Sequence, residues 1–155
     1  MKKYDGWVKR ILIIAGSIEL IAGLSHAVMP YYIYKSAGFS LLQPNEINII
    51  TLCVFSVGIL LAAFGTFTII IAIKYVADNN NMLFYFVSTK AALWAARIVL
   101  EFLYPTKIAM FSIEQPTIIL TPIFIFICCL FIWSGILLFM GHEKKRLPIN
   151  STARP

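Results

Sequence analysis

The chain has 155 residues, of which 60% are hydrophobic and only 13% charged, with a mean hydropathy of +0.85 and a formal net charge of +6. Its length fits one domain. A soluble domain would carry about 25% charged residues, so the composition excludes a water-soluble fold: lipid has to cover the surplus apolar surface. The positive charge does not indicate a nucleic-acid partner, because most Lys and Arg flank apolar runs at the two ends of the chain instead of forming a basic face.

The first predicted span covers residues 8–29 and is interrupted by Glu19 and His26. With the basic start "MKKYDGWVKR" and the small residues Ser25 and Ala27 beyond it, this segment has the outline of a secretory signal. Glu19 in the middle of the apolar run argues against cleavage, and the segment is read as a retained span. The connection "PYYIYKSAGFSLLQPNE" follows, its Tyr cluster suited to a membrane interface.

The second span, residues 47–73, holds no charged residue. At 1.5 Å per residue it reaches about 40 Å against a hydrocarbon core of ~30 Å, an excess that tilt absorbs. "KYVADNNN" reads as a turn. The third span, residues 82–104, contains most of the stretch "KAALWAARIVLEFLYP" and so carries Lys90, Trp94, Arg97 and Glu101. The segment "PTKIAMFSIEQP" leads to the fourth span, residues 117–140, which is uncharged and has Pro122 in its early turns, where a bend is expected.

The predicted architecture is therefore all-α: a four-helix transmembrane bundle over residues 1–141, followed by a polar tail over residues 142–155. Lys2, Lys3, Lys9, Arg10, Lys74, Lys144, Lys145, Arg146 and Arg154 fall on one side of this layout, against only Lys35 and Lys107 on the other. The positive-inside bias places both termini and the tail in the cytoplasm of a multi-pass cell-membrane protein, the inner membrane if the source is bacterial. The sequon "NST" at Asn150 would then stay unmodified. Cys53, Cys128 and Cys129 fall inside apolar spans without a C-x-x-C motif, and are read as reduced thiols that pack as small apolar groups.

The polar residues inside the spans are the functional lead. Gly16, Glu19, Gly23 and His26 are spaced three, four and three, which puts them on one face of the first helix; Lys90, Trp94, Arg97 and Glu101, spaced four, three and four, share one face of the third. Counted from Trp7, Glu19 lies about 18 Å along its helix and His26 about 28 Å. Counted from Met82, Lys90 lies about 12 Å along its own, Arg97 about 22 Å and Glu101 about 28 Å. Glu19 then falls between the two cations and His26 level with Glu101. The expectation is that the first and third helices pack through this stripe, with Glu19 in reach of Lys90 or Arg97. Arg97 and Glu101 can also pair within their own helix. Three central charges would cost roughly 8–10 kcal/mol, while the apolar residues of the third span return only about 3–6 kcal/mol, so that helix needs partners. "AALWAA" and the Gly58/Ala62 pair supply small-xxx-small spacings that let helices approach closely.

The His26–Pro30 end of the first helix, the "ARIVLEFLYP" stretch and the four-span layout together resemble the DoxX-like group of small membrane proteins. Some members of that group are membrane subunits of quinone-linked oxidoreductases. The resemblance is consistent with a redox-support or binding role, and the polar stripe itself is read as a pocket between the first and third helices that holds a small hydrophobic molecule, a quinone or a lipid. Its polar head would meet His26 and Glu101, with Arg97 supplying positive charge, and the partner would be an oxidoreductase or another membrane subunit. Glu19 is also similar to the essential Glu that small multidrug exporters place in their first helix, although those exporters lack cations like Lys90 and Arg97. Two alternatives therefore stand: a proton-coupled carrier using Glu19, and an assembly subunit without a ligand. No catalytic residue, metal site or cofactor is assigned.

Overall fold

The computed structural model describes residues 2–33, 41–74, 81–105 and 115–146. Among them every regular element is helical: α1 (Lys2–Ser25), α2 (Met29–Ile33), α3 (Pro44–Lys74), α4 (Asn81–Leu103) and α5 (Thr117–Arg146). Among the described residues, three helices are long and apolar enough to cross a membrane, α3, α4 and α5 as far as Gly141. The chain is thus an all-α, multi-pass membrane protein. α1 is of similar length but carries six charged residues, Lys2, Lys3, Asp5, Lys9, Arg10 and Glu19, so it is more polar than the other three.

The largest differences from the expected boundaries lie at the two ends of α1 and at the end of α5. α1 starts near the N-terminus, and its last turn gives way at Ser25 to a turn and the short α2, so the expected span to residue 29 is divided. The α1 end is capped from its own side chains: Ser25 Oγ donates to Ala22 O at 2.7 Å, and His26 Nδ1 lies 2.7 Å from the same carbonyl. Groups of this kind satisfy the last carbonyls of a helix, which have no intrahelical donor. At the other end of the chain α5 runs on to Arg146, so the first residues assigned to the polar tail are helical; residues 147–155, with the Asn150 sequon, lie outside the described residues. α5 continues as helix through Pro122, whose missing N–H removes one intrahelical hydrogen bond.

The expected pairing of the first and third spans is corrected in one respect. The close backbone partners of α1 are α3 and α5, and α4 packs closely on α5. α1 and α4 lie diagonally across the bundle and meet through long side chains. The α1–α3 seam is antiparallel and built on glycine. Gly16 faces Gly65, and Gly23 faces Gly58, each pair of glycines being seven residues apart on its own helix. A Cβ at Gly65 would lie 2.5 Å from Leu20 N and 2.6 Å from Gly16 O, and one at Gly23 would collide with the Ala62 backbone. Only residues without a side chain permit this approach, which is how helices gain packing energy where lipid removes the hydrophobic drive.

The remaining seam, α3 against α4, is wider and is filled by rings. Phe67 and Phe86 meet edge to face at 5.8 Å between centroids. Apart from Gly58, Gly65, Thr68 and Ala72, α3 presents its side chains outward or only partly covered. Along the bundle interior Val8, Leu12, Ala15, Val87, Ile127 and Phe131 form the apolar core.

Candidate functional site

Glu19 is fully buried, and its carboxylate is the point where the helices converge. Lys90 Nζ from α4 lies 2.6 Å from Oε1 and 2.8 Å from Oε2. Trp94, one turn further along α4, donates its indole N–H to Oε1 at 2.6 Å. Thr68 of α3 brings its hydroxyl to 3.3 Å from Oε2, while the same hydroxyl lies 2.8 Å from Phe64 O in its own helix. A single hydroxyl proton serves one acceptor at a time, and the shorter contact to the carbonyl makes Thr68 the weakest of the three Glu19 partners.

Lys90 is itself buried, at 4% exposure. Its ammonium has aromatic rings on two sides: Phe64 of α3 at 5.0 Å and Phe131 of α5 at 5.4 Å from the ring centroids. A cation over a ring face is attracted by the quadrupole, the more so when desolvated. All four long helices therefore contribute to one dry charge pair: α1 the carboxylate, α4 the ammonium and the indole, α3 a hydroxyl and a ring, α5 a ring. The seven-residue periodicity that aligns Gly16 and Gly23 along the α3 seam leaves Glu19, between them, turned toward α4. The depth count from the sequence put Glu19 between Lys90 and Arg97, and Trp94, which donates to it, stands between those two cations on α4.

Arg97 and Glu101 form a second, separate cluster. Arg97 Nη2 lies 2.7 Å from Glu101 Oε2, an i,i+4 pair within α4, and Thr117 Oγ1 at the start of α5 donates to Glu101 Oε1 at 3.0 Å. The Arg97 guanidinium sits 4.6 Å from the Phe124 centroid, and Phe124 in turn packs on Trp94 at 5.6 Å. The carboxylate is buried, whereas 40% of the Arg97 side chain is exposed. Arg97 therefore does not share Glu19 with Lys90; its carboxylate is its own helix neighbour.

His26 stands apart from both clusters. It occupies the Glu19 stripe by spacing, but its Cβ packs on Gly58 and its ring turns back to Ala22 O. With that carbonyl as acceptor, Nδ1 carries the proton in the neutral ring. Of the six residues singled out in the sequence, the structure thus joins Glu19, Lys90 and Trp94 in one group and Arg97 with Glu101 in another, and leaves His26 on the α1–α3 seam. Sequence reasoning missed Phe64, Thr68 and Phe131, which line the charge pair, and Thr117, which completes Glu101. Gly65 was also missed; its seven-residue spacing from Gly58, matching Gly16 and Gly23, was the available signal.

The expected pocket between the first and third spans is occupied by the side chains themselves, in direct contact. Among the described residues, open space lies elsewhere. A groove of about 390 Å³ lies between α4 and α5, and a smaller one of about 110 Å³ lies on the α1–α3 seam beside Gly23 and Gly58. Of the cysteines, Cys128 is buried with Sγ 3.6 Å from Ala91 O, while Cys53 and Cys129 are exposed. Among the described residues no group of three or more His, Cys, Asp or Glu side chains gathers as a metal site would require.

Comparison of the chain with protein-family models, with curated proteins and with solved structures returns no match. The resemblance to the DoxX-like group gains no support from them.

Proposed function

We propose that the protein is a four-span membrane protein with both termini in the cytoplasm, that Glu19, Lys90 and Trp94 lock its helices together, and that it serves as an assembly subunit within the bilayer, with no ligand at that cluster. The observation that carries the lock, and that leaves no room for a ligand at it, is the closed surroundings of Glu19. Both carboxylate oxygens are in contact with Lys90, Oε1 also accepts from Trp94, and no part of the residue is exposed. A polar ligand would have to displace an ion pair that is already desolvated and hydrogen-bonded. The carrier reading requires Glu19 to meet water during its cycle, and the burial offers it no support. α1 counts as the fourth span because the Glu19 carboxylate is paired in place and the other charges of the helix, Lys2, Lys3, Asp5, Lys9 and Arg10, lie near one end.

Two experiments test this reading. Reporters fused before Met1 and after Pro155 are expected to give cytoplasmic signals at both ends; an external signal at either overturns the topology. Native electrophoresis of gently solubilised membranes is expected to show the 17.5 kDa chain in a larger assembly, and migration as a lone subunit contradicts the assembly role.

A second reading, binding of a small hydrophobic molecule such as a quinone, is favoured by one observation only. Arg97 is the member of the polar set that is both cationic and well exposed, so a polar head arriving from the lipid would meet its guanidinium beside Phe124.

A further inference from the structure

We infer that the groove between α4 and α5 seats one acyl chain of an anionic phospholipid, whose headgroup is held at the basic end of the bundle. This goes beyond the assembly reading and does not depend on it. The groove is lined by Phe84 and Ser88 of α4 and by Phe131, Gly135 and Phe139 of α5, and it opens outward. It runs from the level of Phe131, beside the central charge pair, to Phe84 and Phe139, a length of about 12 Å at 1.5 Å per residue. Ser88 is the only lining residue with a polar side chain. Gly135 forms part of the floor: a Cβ there would find only Val87 Cγ1, at an ordinary 3.8 Å. The glycine is therefore not needed for the helices to approach; it leaves room. Hydrocarbon suits such a slot, and an apolar groove in a bilayer does not stand empty.

Charge decides which lipid. The helices alternate in direction, so the groove's outer mouth at Phe84 and Phe139 lies at the same end as the start of α1, the end of α3 and the end of α5. At that end Lys9, Arg10 and Lys74 are exposed. α5 continues as helix beyond Phe139 through Glu143, Lys144, Lys145 and Arg146, a stretch with three cations and one carboxylate, net +2. Among the described residues at the opposite end of the helices, Arg97 is the sole Lys or Arg, and it is already paired with Glu101. A basic rim of this kind attracts acidic headgroups, and the groove adds a fixed seat for the chain below it.

The test uses the full-length protein, delipidated in mild detergent and titrated with dioleoyl-phosphatidylglycerol or dioleoyl-phosphatidylcholine. Native mass spectrometry counts bound lipid, and the thermal midpoint reports stabilisation. The wild type is expected to bind one phosphatidylglycerol with a preference on the order of tenfold over phosphatidylcholine. Gly135→Leu, which fills the groove, is expected to weaken that binding about tenfold while leaving the lipid-free midpoint near wild type. Ser88→Leu fills the same space from α4 and should act alike if Gly135→Leu proves unstable. Lys144→Gln, Lys145→Gln and Arg146→Gln together should remove the preference but keep the chain bound. Equal binding of the two lipids by the wild type overturns the proposal, as does unchanged phosphatidylglycerol binding in both groove-filling variants. A wild-type dimer that these variants dissociate would overturn it too, assigning the groove to a second copy.

Discussion

Glu19→Gln is expected to destabilise the folded bundle by about 3–5 kcal/mol, the range for removing one partner of a buried ion pair. The amide can still accept from the Trp94 indole, so that hydrogen bond survives the change. What it cannot do is neutralise Lys90, whose ammonium lies at 4% exposure with Phe64 and Phe131 on its flanks. The two rings soften the isolation of the cation but do not replace a carboxylate at 2.6 Å. Thermal unfolding in detergent, followed by size-exclusion fluorescence, reads the effect as a large fall in midpoint. Arg97→Gln serves as the contrast. Its partner Glu101 keeps the Thr117 hydroxyl, and the Arg97 side chain is 40% exposed, so its loss should cost much less. Equal midpoints for Glu19→Gln and the wild type would mean that the central pair holds nothing together.

The second large effect is expected at Gly65, from the addition of one methyl group. Gly65→Ala places a Cβ 2.5 Å from Leu20 N and 2.6 Å from Gly16 O, both backbone atoms that cannot turn aside. α1 and α3 must separate, and the seam they share is the closest in the molecule. Overpacking of this kind costs typically 1–3 kcal/mol, and more is expected here because separation also pulls Thr68 and Phe64 away from the charge pair. Gly135→Ala is the matched control, with Val87 Cγ1 at 3.8 Å as its nearest contact. The two variants add the same atom to helices of the same class. If their midpoints fall equally, the glycine seam is not what joins α1 to α3.

The helices and the charged groups were legible in the sequence for one reason: a charge in an apolar run is conspicuous, and helical spacing says which charges share a face. Counting rise per residue placed Glu19 between Lys90 and Arg97, the stretch of α4 from which Trp94 donates to it. The same count could not say which cation Glu19 takes, and Arg97 turned to Glu101 because an i,i+4 neighbour is always at hand. What the sequence hid was the neighbourhood. α3 is apolar nearly all round, so no periodicity marks the face that meets α1, and Phe64 looks no different from Phe55 or Phe67. Phe131 is concealed in α5 in the same way. His26 misled for the opposite reason. It lies on the Glu19 stripe by spacing, but α1 ends at Ser25, and the ring is drawn into capping that end.

The fold of the charge cluster also bears on what a loss of function would mean. If the cluster is a lock, substitutions in it reduce the amount of folded protein in the membrane, and any activity falls in proportion. If it binds a ligand or a proton, folded protein persists while activity is lost.

Whether Glu19 and Lys90 act as a pair across the bundle is read from a double-mutant cycle. The thermal stabilities of wild type, Glu19→Gln, Lys90→Met and the double variant are compared in one detergent. The double variant is expected to be more stable than Glu19→Gln alone, with a coupling of a few kcal/mol, because removing the ammonium together with the carboxylate leaves no buried charge behind. Additive losses, with the double variant the least stable of the four, would contradict the pairing.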